Sequence, residues 1–188
     1  MLRERIQASG YTFFEKLKSI DYLLILLILF ISAISVFAIY STEGGKLSFY
    51  TKNHIVRLSV FFSLFIVLSF VRVSTWYKNA YLFYLLGLIL LLLVLFFGIS
   101  ASGATRWINL YFINLQPSEL MKVAIIICFA RYYHRIQSSD IQSFKFLLQP
   151  LILLIIPCYL VLQQPDLGTS ILIAGSGIAI IWLAGTNI

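Results

Sequence analysis

Two polar stretches interrupt the apolar part of this chain. GATRWINLYFINLQPSELMK, residues 103 to 122, carries Arg106, Trp107, Gln116, Ser118, Glu119 and Lys122, and LQQPDLGTS, residues 162 to 170, carries Gln164, Pro165, Asp166 and Gly168. Pro117 suits the first position of a helix, where its missing N–H costs nothing, and Glu119 then falls in the first turn, where the helix dipole favours a negative charge. Glu119 and Lys122 are three apart, so they share a helical face and can pair. Between oily segments such groups are costly unless they pair or face a watery cavity. The stretch therefore offers two chemistries, a structural ion pair or the wall of a polar cavity. In the second stretch Pro165 is expected to open a helix, Asp166 to sit in its first turn, and Gly168 to permit close backbone approach.

The elements that must position these groups follow from composition. The chain has 188 residues, 61% of them hydrophobic and 11% charged, with mean hydropathy +0.96. Soluble domains carry about a quarter charged residues, so this is a membrane protein. Six apolar runs, residues 22–40, 55–71, 80–97, 120–133, 146–162 and 169–183, approach the roughly 20 residues that cross a bilayer. A soluble helical core would need polar faces that these runs lack. A transmembrane strand barrel would need period-two alternation, and Leu23 to Phe30 and Leu88 to Phe97 are apolar throughout. The expected fold is all-α: a polytopic bundle of six spanning helices over residues 22–188, preceded by a cytoplasmic arm, residues 1–21, able to lie on the membrane surface. The first run is too long for a signal-peptide core and no small-residue cleavage site follows it.

Placing the N-terminus in the cytoplasm puts nine Lys and Arg residues inside and five outside, the latter being Lys46, Lys52, Arg57, Arg106 and Lys122. The positive-inside rule favours that orientation, and it places both polar stretches on the outer face. The net charge of +7 is then mostly topological and suits anionic lipid head groups; nothing resembles a base-reading module, so no nucleic acid is expected. Cys128 and Cys158 fall within helices as small apolar groups without metal-ligand spacing. No cofactor motif is found, although the sequence leaves room for a divalent metal. His54 and His134 are expected to be solvated or interfacial. Pro150 is expected in the first turn of the fifth helix, whereas Pro157 lies deep inside it and should free a backbone carbonyl. Ser170, Ala174 and Gly177 form a small-residue face on the sixth helix, with Gly175 and Ala179 beside it, suited to close packing.

GATRWI, QPSELMK and QPDLGTS, in that order and each at a helix edge, resemble the SEDS family (shape, elongation, division and sporulation) of bacterial membrane proteins, and the resemblance runs through nearly the whole chain. The opening SIDYLLILLILFISAISVFAIYS looks more like the rod-shape branch than the division branch. The resemblance implies a peptidoglycan glycosyltransferase of the cytoplasmic membrane, polymerising lipid II on the outer face beside a class B penicillin-binding transpeptidase. By carry-over, Arg106, Trp107, Gln116, Pro117, Ser118, Glu119 and Lys122 match its outer-loop and QPSE positions, and Gln164, Pro165, Asp166 and Gly168 its QPDLG. A guanidinium forks two hydrogen bonds to phosphate and an ammonium supplies a mobile charge, so Arg106 and Lys122 are the candidates to hold the pyrophosphate of lipid II. Glu119 and Asp166 would orient those cations or brace helix ends, and Trp107 would lie along the lipid or sugar.

The family's members are about twice as long, and their catalytic aspartate belongs to an outer loop of the second half. No residue here is therefore assigned as catalytic. Asp166 offers a carboxylate, but its place in QPDLG matches a structural element. This chain is expected to be an N-terminal portion, inactive alone. The rival readings are a transporter or flippase for lipid-linked precursors, since the kinked fifth helix and the polar helix starts resemble the discontinuous helices that cradle substrates, and a non-enzymatic scaffold for the transpeptidase.

Overall fold

A computed structural model of the chain describes residues 18, 20–101, 104–109, 114–136 and 143–186; most of the expected N-terminal arm lies outside these. The chain divides into two compact units, Met1–Val73 and Ser74–Ile188.

The first unit contains α1 (Tyr22–Thr42) and α2 (Phe49–Ser69), packed on each other. Asp21 starts α1 by accepting the Leu24 N–H at 3.0 Å, an ordinary aspartate cap. No residue of α1 is buried, and its exposed side chains are mostly Leu, Ile and Phe, a surface suited to lipid. Glu43 ends α1, and its carboxylate accepts both the Thr51 N–H, at 3.3 Å, and the Thr51 hydroxyl. One carboxylate thus ties the end of α1 to the first turn of α2. His54, expected at the interface, is half-buried and bonds Ser35 of α1 at 2.7 Å.

The second unit contains α3 (Val73–Phe97), strands β1 (Ile99–Ala101), β2 (Ala104–Asn109) and β3 (Asn114–Leu115), then α4 (Pro117–His134), α5 (Phe144–Leu162) and α6 (Leu167–Leu183). Among the described residues these six helices overlap the six apolar runs, although α2 and α3 begin at Phe49 and Val73, well before the runs expected from residues 55 and 80. By length and composition α1, α2 and α3 can each cross a membrane, while α6 and residues Phe146–Leu162 of α5 are shorter apolar helices. The small antiparallel sheet, in the order β1-β2-β3, was not anticipated, because strands this short carry too little alternation to be read.

Helix α4 packs against α5 and α6. Its buried stripe runs through Pro117, Met121, Ala124, Ile125, Cys128, Phe129 and Tyr132, the three-and-four spacing of one helical face. Gly87 of α3 lies against Met121: a Cβ there would stand 2.7 Å from the methionine sulfur. At the other end of α4 the Arg131 guanidinium lies 4.7 Å from the Tyr81 ring centre and 5.4 Å from that of Tyr77, and it donates to the Lys78 carbonyl. Such cation–π contacts contribute about 0.5–2 kcal/mol. His134, exposed as expected, stacks edge-on against Tyr77.

Helix α5 begins at Phe144, so Pro150 is not in its first turn but inside it, as Pro157 is. Each proline lacks the N–H that would reach the carbonyl four residues earlier, which leaves Phe146 and Leu153 without intrahelical donors. Both carbonyls are taken by tyrosines of neighbouring helices: Tyr132 of α4 donates to Phe146 at 3.1 Å, and Tyr84 of α3 donates to Leu153 at 2.8 Å. The expected small-residue face of α6 is real at Ser170, which bonds the Cys158 carbonyl at 3.3 Å, and at Gly177, where a Cβ would stand 2.5 Å from Leu154 Cδ1. Gly175, expected beside that face, looks onto open space.

Candidate functional site

Arg106 owes its placement to an irregularity in the sheet. Thr105 pairs with Ser100 and Trp107 with Ile99, so β2 has one residue more than β1 and Arg106 has no opposite number. Bulges of this kind re-aim a side chain. Gly98 makes the entry into the sheet possible: its backbone lies so close to α3 that a Cβ would stand 2.3 Å from the Val94 carbonyl and 2.5 Å from the Thr105 methyl.

The bulged arginine meets the α5–α6 turn. Arg106 Nε stands 3.4 Å from Asp166 Oδ2; the arginine side chain is 36% exposed and the aspartate 7%. Asp166 is the N-cap of α6, one residue before the first turn in which it was expected, and Pro165 lies in the turn ahead of the cap rather than opening the helix. The physical reason is that the Asp166 backbone is not helical, with φ -120° and ψ 71°, and its carboxylate takes the free N–H of Thr169 at 3.2 Å. The Thr169 hydroxyl donates to the other oxygen at 2.8 Å. Gln164, buried, donates its amide to the Leu91 carbonyl of α3 at 3.1 Å, which anchors the turn to the bundle. Gly168 has nothing within 4 Å of a would-be Cβ, so the close approach expected there is absent from the described residues. The glycine sits on the exposed side of the first turn.

The second cluster begins α4. Gln116 is its N-cap residue, half-buried and without a side-chain cap bond; Pro117 is the first helical residue, and Ser118 is buried. Glu119 and Lys122 pair as their spacing predicts, with Nζ 2.9 Å from Oε1 and 2.8 Å from Oε2. The glutamate side chain is 55% exposed and the lysine 23%. Strand β2 packs against α4, and Trp107, half-buried, follows Arg106 along it.

Arg106 with Asp166 and Glu119 with Lys122 are thus two ion pairs, presented by the sheet and by the starts of α4 and α6. They differ in exposure and support: among the described residues Glu119 pairs with Lys122 and is mostly in solvent, whereas Asp166 is buried and takes two donors from its own helix. Thr169 supplies both, and nothing in the sequence beyond an aspartate three residues before a threonine at a helix start points to it. Among the described residues no three His, Cys, Asp or Glu side chains gather as a metal site would require.

Helices apolar on most faces, with charge gathered at helix starts and one short sheet, define a multi-pass membrane protein. The chain belongs to the FtsW/RodA/SpoVE family of cell cycle proteins, the SEDS family, whose sequence profile matches residues 16–188. It is 36% identical over 140 residues to a probable peptidoglycan glycosyltransferase FtsW of Buchnera aphidicola, covering 74% of this chain and 37% of that protein. It is 32% identical over 178 residues to the peptidoglycan glycosyltransferase MrdB of Escherichia coli, covering 94% of this chain and 46% of the relative. Among solved structures, a chain of a peptidoglycan synthase complex superposes with a TM-score of 0.79 at 25% identity, covering 89% of this chain and 48% of that one. A point variant of the rod shape determining protein RodA of Thermus thermophilus superposes at 0.77 with 25% identity, covering 89% and 54%. The chain therefore spans about half the length of the relatives it matches, or less.

Proposed function

We propose that the protein carrying this chain is a peptidoglycan glycosyltransferase of cell elongation, seated in the bacterial cytoplasmic membrane, and that this portion holds the pyrophosphate of lipid II at the outer membrane surface through Arg106 and Lys122. The observation that carries the reading is the half-exposed guanidinium raised on a bulge, its Nε beside a fixed carboxylate. Pyrophosphate can meet the exposed part of that fork, and it can draw Lys122 away from a partner that is mostly in solvent. Trp107, next to Arg106 on β2, is assigned to the lipid or sugar, and Gln116, at the start of α4, to the substrate site. The rod-shape branch is supported by the likeness to the rod shape determining protein RodA of Thermus thermophilus, and a transpeptidase partner by the likeness to a chain of a synthase complex. Against the transporter reading, both carbonyls freed by the prolines of α5 accept tyrosine hydroxyls of neighbouring helices, which favours close helix packing there.

The test is lipid II binding and glycan synthesis by the full-length protein with Arg106→Ala and Lys122→Ala. Each is expected to weaken binding about tenfold or more, the consequence of losing one charge-assisted hydrogen bond of roughly 1.5–3 kcal/mol. Glu119→Gln is the control: an exposed pair contributes about 0–1 kcal/mol, so stability should hardly change. Unchanged binding in both cation variants sinks the proposal and favours a scaffold.

A further inference from the structure

We infer that Thr169 is a positioning residue for Arg106, acting through Asp166; the inference rests on the anion-holding role proposed for that arginine. An aspartate N-cap needs one backbone donor, and Asp166 Oδ1 has it in the Thr169 N–H at 3.2 Å. The Thr169 hydroxyl goes further and binds Oδ2 at 2.8 Å. Oδ2 is the oxygen that lies 3.4 Å from Arg106 Nε. With one donor on each oxygen the carboxylate cannot turn about its own axis, and the charge facing Arg106 is fixed in direction as well as in place. Thr169 and Asp166 are both buried, so water does not readily substitute for the hydroxyl.

This matters because Arg106 sits in a bulge and its Nε makes no geometrically good hydrogen bond among the described residues. Its orientation depends on the electrostatic direction of Asp166 and on packing. A guanidinium held ready for a phosphate loses less freedom on binding than one that must first be ordered. Valine in place of Thr169 keeps the side-chain volume and the backbone cap but removes the Oδ2 bond. The carboxylate is then free to rotate about its Oδ1 contact, and the arginine loses its fixed counter-charge.

The experiment uses the full-length protein in detergent micelles and a long-chain isoprenyl pyrophosphate as the probe, with affinities for wild type, Thr169→Val, Thr169→Ser, Arg106→Ala and the Thr169→Val/Arg106→Ala double variant. The expected result is a loss of about threefold to tenfold in Thr169→Val, recovery to within about twofold in Thr169→Ser, and no further loss when Thr169→Val is added to Arg106→Ala. A threonine that merely supported the fold would weaken binding equally with or without Arg106, and that outcome overturns the inference. It is also overturned, with the proposed site left standing, by Thr169→Val binding as wild type while Arg106→Ala binds weakly. If Arg106→Ala itself binds as wild type, the anion-holding reading fails and this inference fails with it.

Discussion

Replacing Tyr84 by phenylalanine should destabilise the protein by about 1–2 kcal/mol, and should do so only while Pro157 is present. The hydroxyl donates at 2.8 Å to the Leu153 carbonyl, the group that Pro157 leaves without a helical donor. A hydrogen bond between membrane helices contributes about 0.6 kcal/mol on average and up to roughly 1.7, because the unfolded chain in the membrane also finds partners. Stripping the donor from a carbonyl that has no alternative adds part of a desolvation cost of about 1–3 kcal/mol. Tyr84 is 6% exposed, so water is a poor replacement. In the Pro157→Ala background the alanine N–H reaches Leu153 itself, and the tyrosine hydroxyl becomes redundant. Equilibrium unfolding of the four proteins of this cycle in mixed micelles measures the coupling directly. Equal costs for Tyr84→Phe with and without Pro157 would refute the claim that the tyrosine compensates the proline.

Two further outcomes follow from packing and charge. Gly177→Ala should cost about 1–3 kcal/mol, the usual range for overpacking, because its Cβ would stand 2.5 Å from Leu154 and 3.2 Å from Phe129; Gly175→Ala, with open space around it, should be neutral or stabilising by up to about 1 kcal/mol through helix propensity, and the same unfolding assay ranks the two. Nearby hydroxyls, those of Ser48 and Thr51, hold the Glu43 carboxyl below its ordinary value of 4.5. The folded state therefore gains stability from this group above that pH and loses it as pH falls through the lowered value. A carboxyl-carbon NMR titration should find the Glu43 midpoint below 4.5, moving upward in Thr51→Val; a midpoint unmoved by that substitution would count against the pairing of α1 and α2 described here.

Much of the helical framework was legible because apolar runs are a local property. Length and hydropathy locate six helices whatever packs against them, and Pro117 and the i, i+3 spacing of Glu119 and Lys122 marked the start of α4 correctly. Capping was less legible. Asp166 read as a first-turn acid and proved to be the cap, since the two placements differ only in backbone conformation. Pro150 reads as tolerated near a helix start because hydropathy places that start two residues after the true one, the usual weakness of a hydropathy edge set in a polar flank.

What the sequence by itself determined is therefore the membrane class, the order of the helices and which residues carry charge at their edges, all consequences of neighbours in the chain. What only the tertiary structure decided is which of those charges meet. Arg106 and Asp166 are sixty residues apart, and their pairing depends on a bulge in a sheet too short to announce itself and on a turn anchored by Gln164 to α3. The same holds for Tyr84 and Tyr132. A proline shows in the sequence that a carbonyl will lack a donor, but the hydroxyl that supplies one comes from another helix, and only packing brings it within reach.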